Sequence, residues 1–553
     1  MNDQKDEKDS TFLLNSLLHN HFGHSTFRPL QLEAIQGTLS GQDVLVILPT
    51  GGGKSLTFQL TPLLTNKITI VITPLLALAK DQIDNANDLY DIEAVGYSSQ
   101  TSPSQKASIL AELASSDPSS PPSIRLLYTT PESLQNPKDP AFIEALTQAH
   151  SQGRLASLAI DEAHCVSQWG HDFRPSYATI GSHVRPLFPG LPVIAVTATA
   201  APHVRTSIID RLCMNQQSLQ VLVGSFNRPE IQFNVEIKEL LPGYIENGTD
   251  VYRPVVDAIT QFIHTSASTS RCGIVYCKYR RTCEYVASAL QDADIEAAHY
   301  HAGLDIDKRK RVQQQWKEGD ISVVVATIAF GMGIDKADCR YVIHCDPPSS
   351  LEGLYQEAGR AGRDGRPAIS IVYSSHADLK KAQSMEGGKG GGGATAAVAQ
   401  YVLGAGCRRM VLLRHFGEKR ESDTKQRNGC RVENGEQLCD YCHSPQKVCR
   451  NAAAVEEKIE EWLRLKEKEQ QNEEEEELKT ATAKKKAVSL RPLLENSHKD
   501  NGEENMNHDA SPARLVATEE NALPSSCTDN NDNAVNNKRR RAFFPPRRLQ
   551  PNN

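Results

Sequence analysis

Short apolar runs recur through the first part of the chain and alternate with stretches of helical periodicity. The runs are VLVIL at 44–48, ITIVIT at 68–73, IRLLYT at 124–129, LASLAID at 155–161 and VIAVTAT at 193–199. Each of them ends in a polar or glycine-bearing turn. Strands that are apolar on both faces are typical of a parallel sheet covered by helices on each side, so the pattern predicts an α/β domain.

The same pattern begins again after a stretch near residues 242–254 that contains proline and glycine. Its apolar runs are GIVYC at 273–277, ISVVVAT at 321–327, YVIHCD at 341–346 and AISIVYS at 368–374. We therefore predict two tandem α/β domains with parallel sheets, over residues 1–235 and 236–383, with a cleft between them.

The last part of the chain has a different character. A charged helix predicted at 455–471 leads into polar residues with few aromatics. Such a segment buries too little apolar surface to offset its chain entropy, so residues 453–553 are predicted to be mostly disordered. Within the folded part, residues 115–123 are predicted as a surface loop and residues 387–393 as a flexible glycine-rich insertion.

Composition narrows the class of protein. The chain has 553 residues, of which 39% are hydrophobic and 23% charged, values that fit a globular protein. Without a long apolar run or a secretory leader, we expect a cytosolic or nuclear protein with no membrane contact. In that setting the 13 cysteines favour metal ligation over disulfides. The net charge of −7 does not exclude nucleic acid, because a glutamate-rich tail masks any basic surface.

The segment LVILPTGGGKS at 45–55 predicts a phosphate-binding loop that opens a helix. Its glycines let backbone N–H groups close around the phosphates of ATP, and the helix dipole assists. Lys54 would reach the β- and γ-phosphates, and Ser55 would hold Mg²⁺. The predicted nucleotide ligands here are Thr50, Gly51, Gly52, Gly53, Lys54 and Ser55. The alternative for this segment taken alone is a glycine-rich hairpin.

Two further segments complete a predicted hydrolysis site. Asp161 ends an apolar strand in LAIDEAHC, where it can orient Mg²⁺ while Glu162 polarises the attacking water. In QEAGRAGRDG at 356–365, Arg360 and Arg363 are predicted to share one helical face and to reach into the cleft as arginine fingers. A helix cap and surface ion pairs are the respective alternatives. Because Lys54 and these arginines lie on different domains, hydrolysis would require domain closure.

In these motifs and their order, residues 12–450 resemble the RecQ family of superfamily 2 helicases. The resemblance implies two RecA-like domains and 3′ to 5′ movement on DNA. In FGHSTFRPLQLEAI at 22–35, it implies that Arg28 and Gln31 recognise adenine. The resemblance also adds Gln356 to the catalytic set and makes Asp335, in ATIAFGMGIDKADC, a partner of the nucleotide or of the arginines. Tyr279 stands where the family usually has a small serine.

The segment CVSQWGHDFRPSY at 165–177 resembles the aromatic-rich loop that couples DNA binding to hydrolysis in the family. Aromatic faces suit base stacking and arginine suits phosphate, which agrees with that role. The predicted coupling residues are Trp169, His171, Phe173 and Arg174. A buried aromatic cluster is the alternative for any single ring.

A small helical subdomain at 384–452 resembles the zinc-binding subdomain of the family. Four thiolates suit a closed structural Zn²⁺ site. The implied ligands are Cys407, Cys430, Cys439 and Cys442, with His443 or Cys449 as possible replacements for one of them. No later segment resembles a winged helix or an HRDC domain, so the chain is expected to be a short form of the family.

The leading hypothesis is an ATP-dependent DNA helicase that acts on single-stranded and forked duplex DNA in recombination and repair. The alternatives are an ATP-switched strand-annealing or scaffolding protein and an RNA helicase. The basic run KRRRAFFPPRR at 538–548 predicts nuclear import or phosphate contacts, with a solvated terminus as the alternative. The tail is also a possible site for protein partners.

Overall fold

The structure is a computed structural model. It describes residues 2–115, 121–167, 173–245, 250–265, 272–331, 336–386, 392–404, 406–419 and 429–455, together with residues 457 and 464. The predicted loop at 115–123, the glycine-rich insertion at 387–393 and the charged tail therefore lie largely or wholly outside the described residues. Among those described, no helix combines the length and the apolar character needed to cross a bilayer.

Apolar runs form a first parallel sheet that corresponds to the first predicted domain. Its strands are β1 Val44–Ile47, β2 Ile68–Ile72, β3 Ala94–Tyr97, β4 Leu126–Thr129, β5 Leu155–Ile160, β6 Val193–Thr197 and β7 Gln220–Val223. They lie in the order β3-β4-β2-β5-β6-β1-β7. The loops after β1 and β5, which carry the predicted nucleotide residues, therefore leave the same edge of the sheet.

A second parallel sheet follows. Its strands are β8 Ile231–Ile237, β9 Gly273–Tyr276, β10 Ala297–Tyr300, β11 Val323–Ala326, β12 Tyr341–His344 and β13 Ala368–Ser374. They lie in the order β10-β11-β9-β12-β13-β8. The prediction of two tandem parallel-sheet domains is confirmed. The predicted border between residues 235 and 236 is corrected, because it falls inside β8, which pairs with β13 throughout its length.

Helices connect the strands and cover both sheets. In the first domain they are α1 Asn2–Phe22, α2 Gln31–Leu39, α3 Leu56–Gln59, α4 Thr61–Thr65, α5 Leu76–Tyr90, α6 Pro103–Leu113, α7 Pro131–Leu134, α8 Pro140–Ser151, α9 Pro175–Ala178 and α10 Pro202–Arg211. The later helices are α11 Arg253–Thr265, α12 Arg280–Gln291, α13 Ile306–Glu318, α14 Leu351–Ala358, α15 His376–Glu386, α16 Gly392–Leu403, α17 Arg408–His415 and α18 Asp440–His443.

The central strands are buried along their whole length, as the continuous apolar runs predicted. Strands β1, β2, β9, β11 and β12 contain only buried residues. The strands that the apolar runs did not reveal are β3, β7, β8 and β10. All four lie at sheet edges, where part of each strand stays accessible to solvent and polar residues interrupt the pattern.

The cysteine-bearing subdomain packs against the segment that joins the two domains. Arg409, fully buried, donates to the backbone carbonyls of Arg228 at 2.5 Å and Ile231 at 2.7 Å. Its guanidinium also lies 3.6 Å from the carboxylate of Glu436. Beside it, Arg408 pairs with Asp440 at 3.0 Å. Buried arginines are tolerated only when they are paired and hydrogen-bonded, and these contacts meet that condition.

Candidate nucleotide site and cysteine cluster

The predicted phosphate-binding loop joins β1 to α3 at the carboxyl edge of the first sheet. Gly51 and Gly53 have φ angles of 80° and 75°, in the left-handed region that favours glycine. A Cβ on Gly52 would lie 2.9 Å from the carbonyl oxygen of Pro49. The helix begins at Leu56, directly after Lys54 and Ser55, as the sequence predicted. The glycines are therefore required by the geometry of this turn, and a flat hairpin is excluded.

Arg28 and Gln31, predicted to recognise adenine, contact this loop directly. Arg28 donates to the carbonyl of Gly51, and the Gln31 carboxamide donates to the carbonyls of Gly52 at 3.3 Å and Gly53 at 3.0 Å. The side-chain oxygen of Gln31 accepts from the backbone N–H of Arg28 at 2.8 Å. The two side chains thus brace the phosphate-binding loop in this conformation, an arrangement that the sequence did not reveal.

Lys54 is half-buried, and its ammonium group donates to the carbonyl of Leu48 at 3.4 Å. Burial lowers the pKa of Lys54, and the charge of Arg363 contributes in the same direction. The carboxylates of Glu162 and Asp161 oppose both effects. The ammonium therefore lies close enough to both carboxylates and to the arginine to sense their charges, although they come from distant parts of the chain.

Asp161 follows β5 at the same sheet edge and is buried. Its carboxylate accepts from Gln82 of α5 at 2.8 Å and from the backbone N–H of Glu162 at 2.9 Å. Burial and the neighbouring charge of Glu162 raise the pKa of Asp161 to about 6. A buried carboxylate beside a half-buried one is a costly arrangement that a divalent cation relieves, and oxygen donors of this kind suit Mg²⁺. The residues present therefore fit the predicted metal.

Glu162 contacts His164, which in turn contacts Thr197 at the end of β6. It lies 3.2 Å from Nδ1 of His164, and that nitrogen is also 3.0 Å from the hydroxyl of Thr197. Burial opposes charge on His164, but Cys165 and Glu162 outweigh it and raise the pKa of His164 well above its ordinary value. No individual role was predicted for Gln82, His164 or Thr197, because the contacts Gln82–Asp161 and His164–Thr197 join segments far apart in sequence.

The two arginines of the second domain occupy different environments. Helix α14 ends at Ala358, so the prediction that Arg360 and Arg363 share one helical face is wrong. Arg360 is buried and donates to the carbonyl of Gly331 within its own domain. Arg363 instead lines a cavity of about 600 Å³ that is also lined by Lys54, Ser55 and Gln31. Of the two arginines, Arg363 is the one that shares a cavity with the phosphate-binding loop.

The remaining residues predicted to act in catalysis or in DNA coupling are only partly described by the structure. Gln356 is half-buried in the last turn of α14. Arg174, predicted as a phosphate contact, donates to the carbonyl of Pro74 at 2.6 Å, and Phe173 beside it is half-buried. The predictions for Trp169, His171 and Asp335 fall outside the described residues.

Tyr90 also lines the nucleotide cavity, together with Phe22 and His24. The rings of Phe22 and Tyr90 contact one another with centroids 4.6 Å apart. Their position offers an apolar wall to a nucleotide base near Arg28 and Gln31. Sequence reasoning missed Tyr90, since it ends a helix that carries no recognisable nucleotide motif.

The four cysteines predicted as metal ligands converge at one point. Their sulfur atoms all lie within 4.8 Å of one another, with Cys407 at 3.6 Å from Cys430 and 3.8 Å from Cys439. A tetrahedral site with Zn–S bonds of about 2.3 Å has edges of about 3.8 Å. The fourth sulfur belongs to Cys442, so the spacing of the set fits zinc.

Backbone N–H groups also point at these sulfurs. The N–H of Cys430 lies 3.2 Å from the sulfur of Cys442, and the N–H of Cys442 lies 3.5 Å from the sulfur of Cys439. Such donors stabilise thiolates, the form that binds a metal. The proposed substitutes, His443 and Cys449, are exposed and stand outside the cluster, so the structure gives neither a place among the four sulfurs.

The cysteine-bearing subdomain contacts both domains close to their nucleotide-site segments. Arg205 of α10 donates to the carbonyl of Phe416 at 2.6 Å and to that of Ala200 at 2.9 Å. On the other side, His415 of α17 pairs with Glu352 of α14 at 2.6 Å. The subdomain therefore connects the segment after β6 with the helix that leads to Arg360 and Arg363.

Comparison with known proteins agrees with this arrangement. Residues 28–207 match the DEAD/DEAH box helicase family, and residues 254–365 match the helicase conserved C-terminal domain. Two tandem parallel-sheet domains that present these motifs at facing edges define the core of a superfamily 2 helicase.

Curated relatives narrow the class. The ATP-dependent DNA helicase RecQ of Haemophilus influenzae is 36% identical over 78% of this chain and 64% of its own length. The ATP-dependent DNA helicase hus2/rqh1 of Schizosaccharomyces pombe is 39% identical over 75% of this chain and 30% of its own. The chain belongs to the RecQ family. It spans about a third to two thirds of the lengths of these relatives.

Solved structures show the same fold. The helicase Lhr of Mycobacterium smegmatis, bound to ssDNA and AMP-PNP, superposes with a TM-score of 0.51 at 21% identity, over 70% of this chain and 49% of its own. The DEAD-box helicase Mss116, bound to ssRNA and UDP-BeF, gives 0.51 at 17% identity, over 68% of this chain and 77% of its own. At these identities the likeness concerns the fold alone.

Proposed function

We propose that this protein is an ATP-dependent DNA helicase that moves 3′ to 5′ along one strand and separates forked or branched duplexes. The observation that carries the proposal is the shared cavity. Lys54 of the first domain and Arg363 of the second line the same space, about 600 Å³ in volume. A nucleotide held there contacts both domains, so its hydrolysis and release change the relation between them.

Each side chain at or beside the cavity has a distinct role in this proposal. Lys54 binds the β- and γ-phosphates, and Asp161 with Ser55 orients Mg²⁺, which when bound neutralises developing charge. Glu162 takes the proton of the attacking water, with His164 holding its carboxylate. Arg363 stabilises the charge on the transferred phosphoryl group, whereas Arg360, bound to Gly331, holds the loop in place.

The link to DNA runs through the segment that follows Glu162. Arg174 ties that segment to Pro74, at the start of α5. Tyr177 of α9 donates to the carbonyl of Asp161 at 3.3 Å. Movement of this segment on DNA binding is therefore transmitted to the metal-orienting carboxylate. We propose that Trp169, His171 and Phe173 make the stacking and phosphate contacts, with Arg174 passing to a phosphate when it leaves Pro74.

We further propose that Zn²⁺ occupies the four-cysteine cluster as a structural ion. Four protein ligands leave no open position for a reacting water. The support is the spacing of the sulfurs and the N–H groups aimed at them. A role in recombination and repair, in the nucleus, is also part of the proposal, and it rests on the family and on the basic run at 538–548.

The proposal is tested by measuring ATP hydrolysis with and without single-stranded DNA, and strand separation of a forked duplex. We expect DNA to stimulate hydrolysis and the duplex to open only when ATP is present. Lys54→Ala should abolish both activities, because the loop then lacks its phosphate-binding cation. The matched control is Lys67→Ala, an exposed lysine of the same domain outside this cavity.

The competing functions predict different results. A strand-annealing or scaffolding protein would bind DNA and anneal strands without hydrolysis by the unchanged protein. An RNA helicase would be stimulated by an RNA strand more strongly than by a DNA strand of the same sequence. Either result would overturn the proposal.

A further inference from the structure

The segment that joins the two domains, residues 224–230, runs from the end of β7 to the start of β8. On one side it contacts α14, where the hydroxyl of Tyr355 donates to the carbonyl of Phe226 at 3.0 Å. On the other side it contacts the cysteine-bearing subdomain, where the backbone N–H of Gln437 donates to the carbonyl of Pro229 at 2.8 Å. This joining segment therefore lies between α14 and the cysteine-bearing subdomain.

Arg228 of the joining segment holds the arginine loop, which comprises residues 359–367 between α14 and β13. Arg228 is buried, and its two Nη nitrogens donate to the carbonyls of Gly359 at 3.0 Å and Ala361 at 2.9 Å. Its Nε pairs with the carboxylate of Glu230 at 2.5 Å. Because a guanidinium presents its donors in a rigid plane, the two carbonyls are held at a fixed separation.

The arginine loop is also closely packed at the next residue, Gly362. This glycine has a φ angle of 66°, and a Cβ on it would lie 2.9 Å from Cγ of Glu230. Its N–H donates to the carbonyl of Cys339, just before β12, at 2.9 Å. Arg363 follows directly, so its backbone begins at a point that the Arg228–Glu230 pair and Cys339 hold from two sides.

We propose that Arg228 is a positioning residue for ATP hydrolysis. By holding the carbonyls on either side of Arg360, its guanidinium fixes the point at which Arg363 enters the nucleotide cavity. The inference rests on the proposed function, which supplies the reaction. Arg409 of the cysteine-bearing subdomain donates to the backbone carbonyl of Arg228 at 2.5 Å. The same residue therefore connects that subdomain to the arginine that stabilises the transferred phosphoryl group.

The test measures single-turnover ATP hydrolysis by Arg228→Lys in the presence of single-stranded DNA. Lysine keeps a positive charge beside Glu230 but cannot hold two carbonyls in one plane. Because a misplacement of about 1 Å at a reacting centre costs about 10²-fold, hydrolysis should fall by roughly 10- to 100-fold. Nucleotide affinity should stay within about threefold of that of the unchanged protein, since the loop that carries Lys54 is unaltered.

Arg154, just before β5, provides a matched control. It is also a buried arginine that donates to two backbone carbonyls, those of Glu112 and Ser115, at 3.2 Å each. It pairs with the carboxylate of Glu112 at 3.5 Å, and it does not line the nucleotide cavity. Arg154→Lys should therefore change hydrolysis by less than about twofold, as expected for a distant, independent site.

A double variant distinguishes positioning from a general structural effect. If Arg228 acts through Arg363, adding Arg228→Lys to Arg363→Ala should lower the residual hydrolysis by less than about twofold, because the group that it positions is already absent. Glu230→Gln repeats the test with a milder change that keeps an acceptor for Nε and removes its charge. It should reduce hydrolysis by about two- to fivefold, and only when Arg363 is present.

The outcomes separate this inference from the proposed function. Unchanged hydrolysis in Arg228→Lys and in Glu230→Gln overturns the inference alone, and so does a loss of equal size with and without Arg363. If Arg228→Lys does not fold, the result for Glu230→Gln decides between these outcomes. Absence of ATP hydrolysis by the unchanged protein overturns the proposed function as well.

Discussion

The two domains bring opposite charges to the nucleotide cavity, the first from the carboxyl edge of its sheet and the second from the loop between α14 and β13, at the amino edge of its sheet. The first sheet contributes two carboxylates, the buried Asp161 and the half-buried Glu162, and burial together with their mutual repulsion raises the pKa of Asp161 to about 6. The second sheet contributes arginines, one buried on Gly331 and one in the cavity beside Lys54. Neither edge provides a complete site for a nucleotide. In the function proposed above, hydrolysis therefore depends on the relation between the domains, and this dependence is how a chemical step would drive movement.

The largest effect is expected from replacing one of the four clustered cysteines in the subdomain that connects the two domains. Cys439→Ser should lose the metal and unfold this subdomain, because structural zinc contributes about 10–16 kcal/mol in small modules. Arg205 and Glu352 would then lose their partners Phe416 and His415. Metal content and the rate of limited proteolysis measure the change. Cys449→Ser, at an exposed cysteine outside the cluster, is the control, and a metal-replete, protease-resistant Cys439→Ser would show that the ligand set is different.

The second-largest effect is expected from removing the arginine that the second domain inserts into the nucleotide cavity. Arg363→Ala should reduce single-turnover ATP hydrolysis by about 10³- to 10⁵-fold while nucleotide binding persists, since the finger stabilises charge that develops in the transition state. Arg366→Ala is the matched control, because this exposed arginine lies three residues further along the same loop. If turnover were unchanged in Arg363→Ala and lost in a folded Arg360→Ala, the roles of the two arginines would be reversed.

The smallest effect concerns the raised pKa at the first edge. Mg²⁺ requires the ionised form of Asp161, which predominates only above a pH of about 6. As the pH falls below 6, protons therefore compete with the metal for Asp161, and the affinity for Mg²⁺ falls by about tenfold per pH unit. Calorimetric titration with a non-hydrolysable ATP analogue measures this profile. Glu162→Gln removes one cause of the shift and should move the midpoint to lower pH, whereas an unmoved midpoint would assign the whole shift to burial.

The sequence was most informative where function depends on neighbouring residues. The central strands, the turn at Gly51 to Gly53 and the Asp161–Glu162 pair were all predicted, since apolar runs and motifs are local. The edge strand β8 was not predicted, because its alternating burial, with apolar positions inside and polar positions between, lacks the continuous apolar run of a central strand. For the same reason the domain border was placed several residues too late.

Contacts between distant segments could not be predicted in the same way. Gln31 and Arg28 hold the carbonyls of the phosphate-binding loop, and Gln82 holds Asp161, across separations that no motif records. The distinction between Arg360 and Arg363 also depended on where α14 ends, a matter of one helical turn.

The sequence predicted two parallel sheets, a phosphate-binding loop and a set of cysteines suited to a metal, because hydrophobic period and donor chemistry act over a few residues. The packing of distant segments settled which arginine enters the nucleotide cavity and which sulfurs converge. Both facts depend on distances between segments that are not neighbours in sequence, which are set by how the helices pack on the sheets.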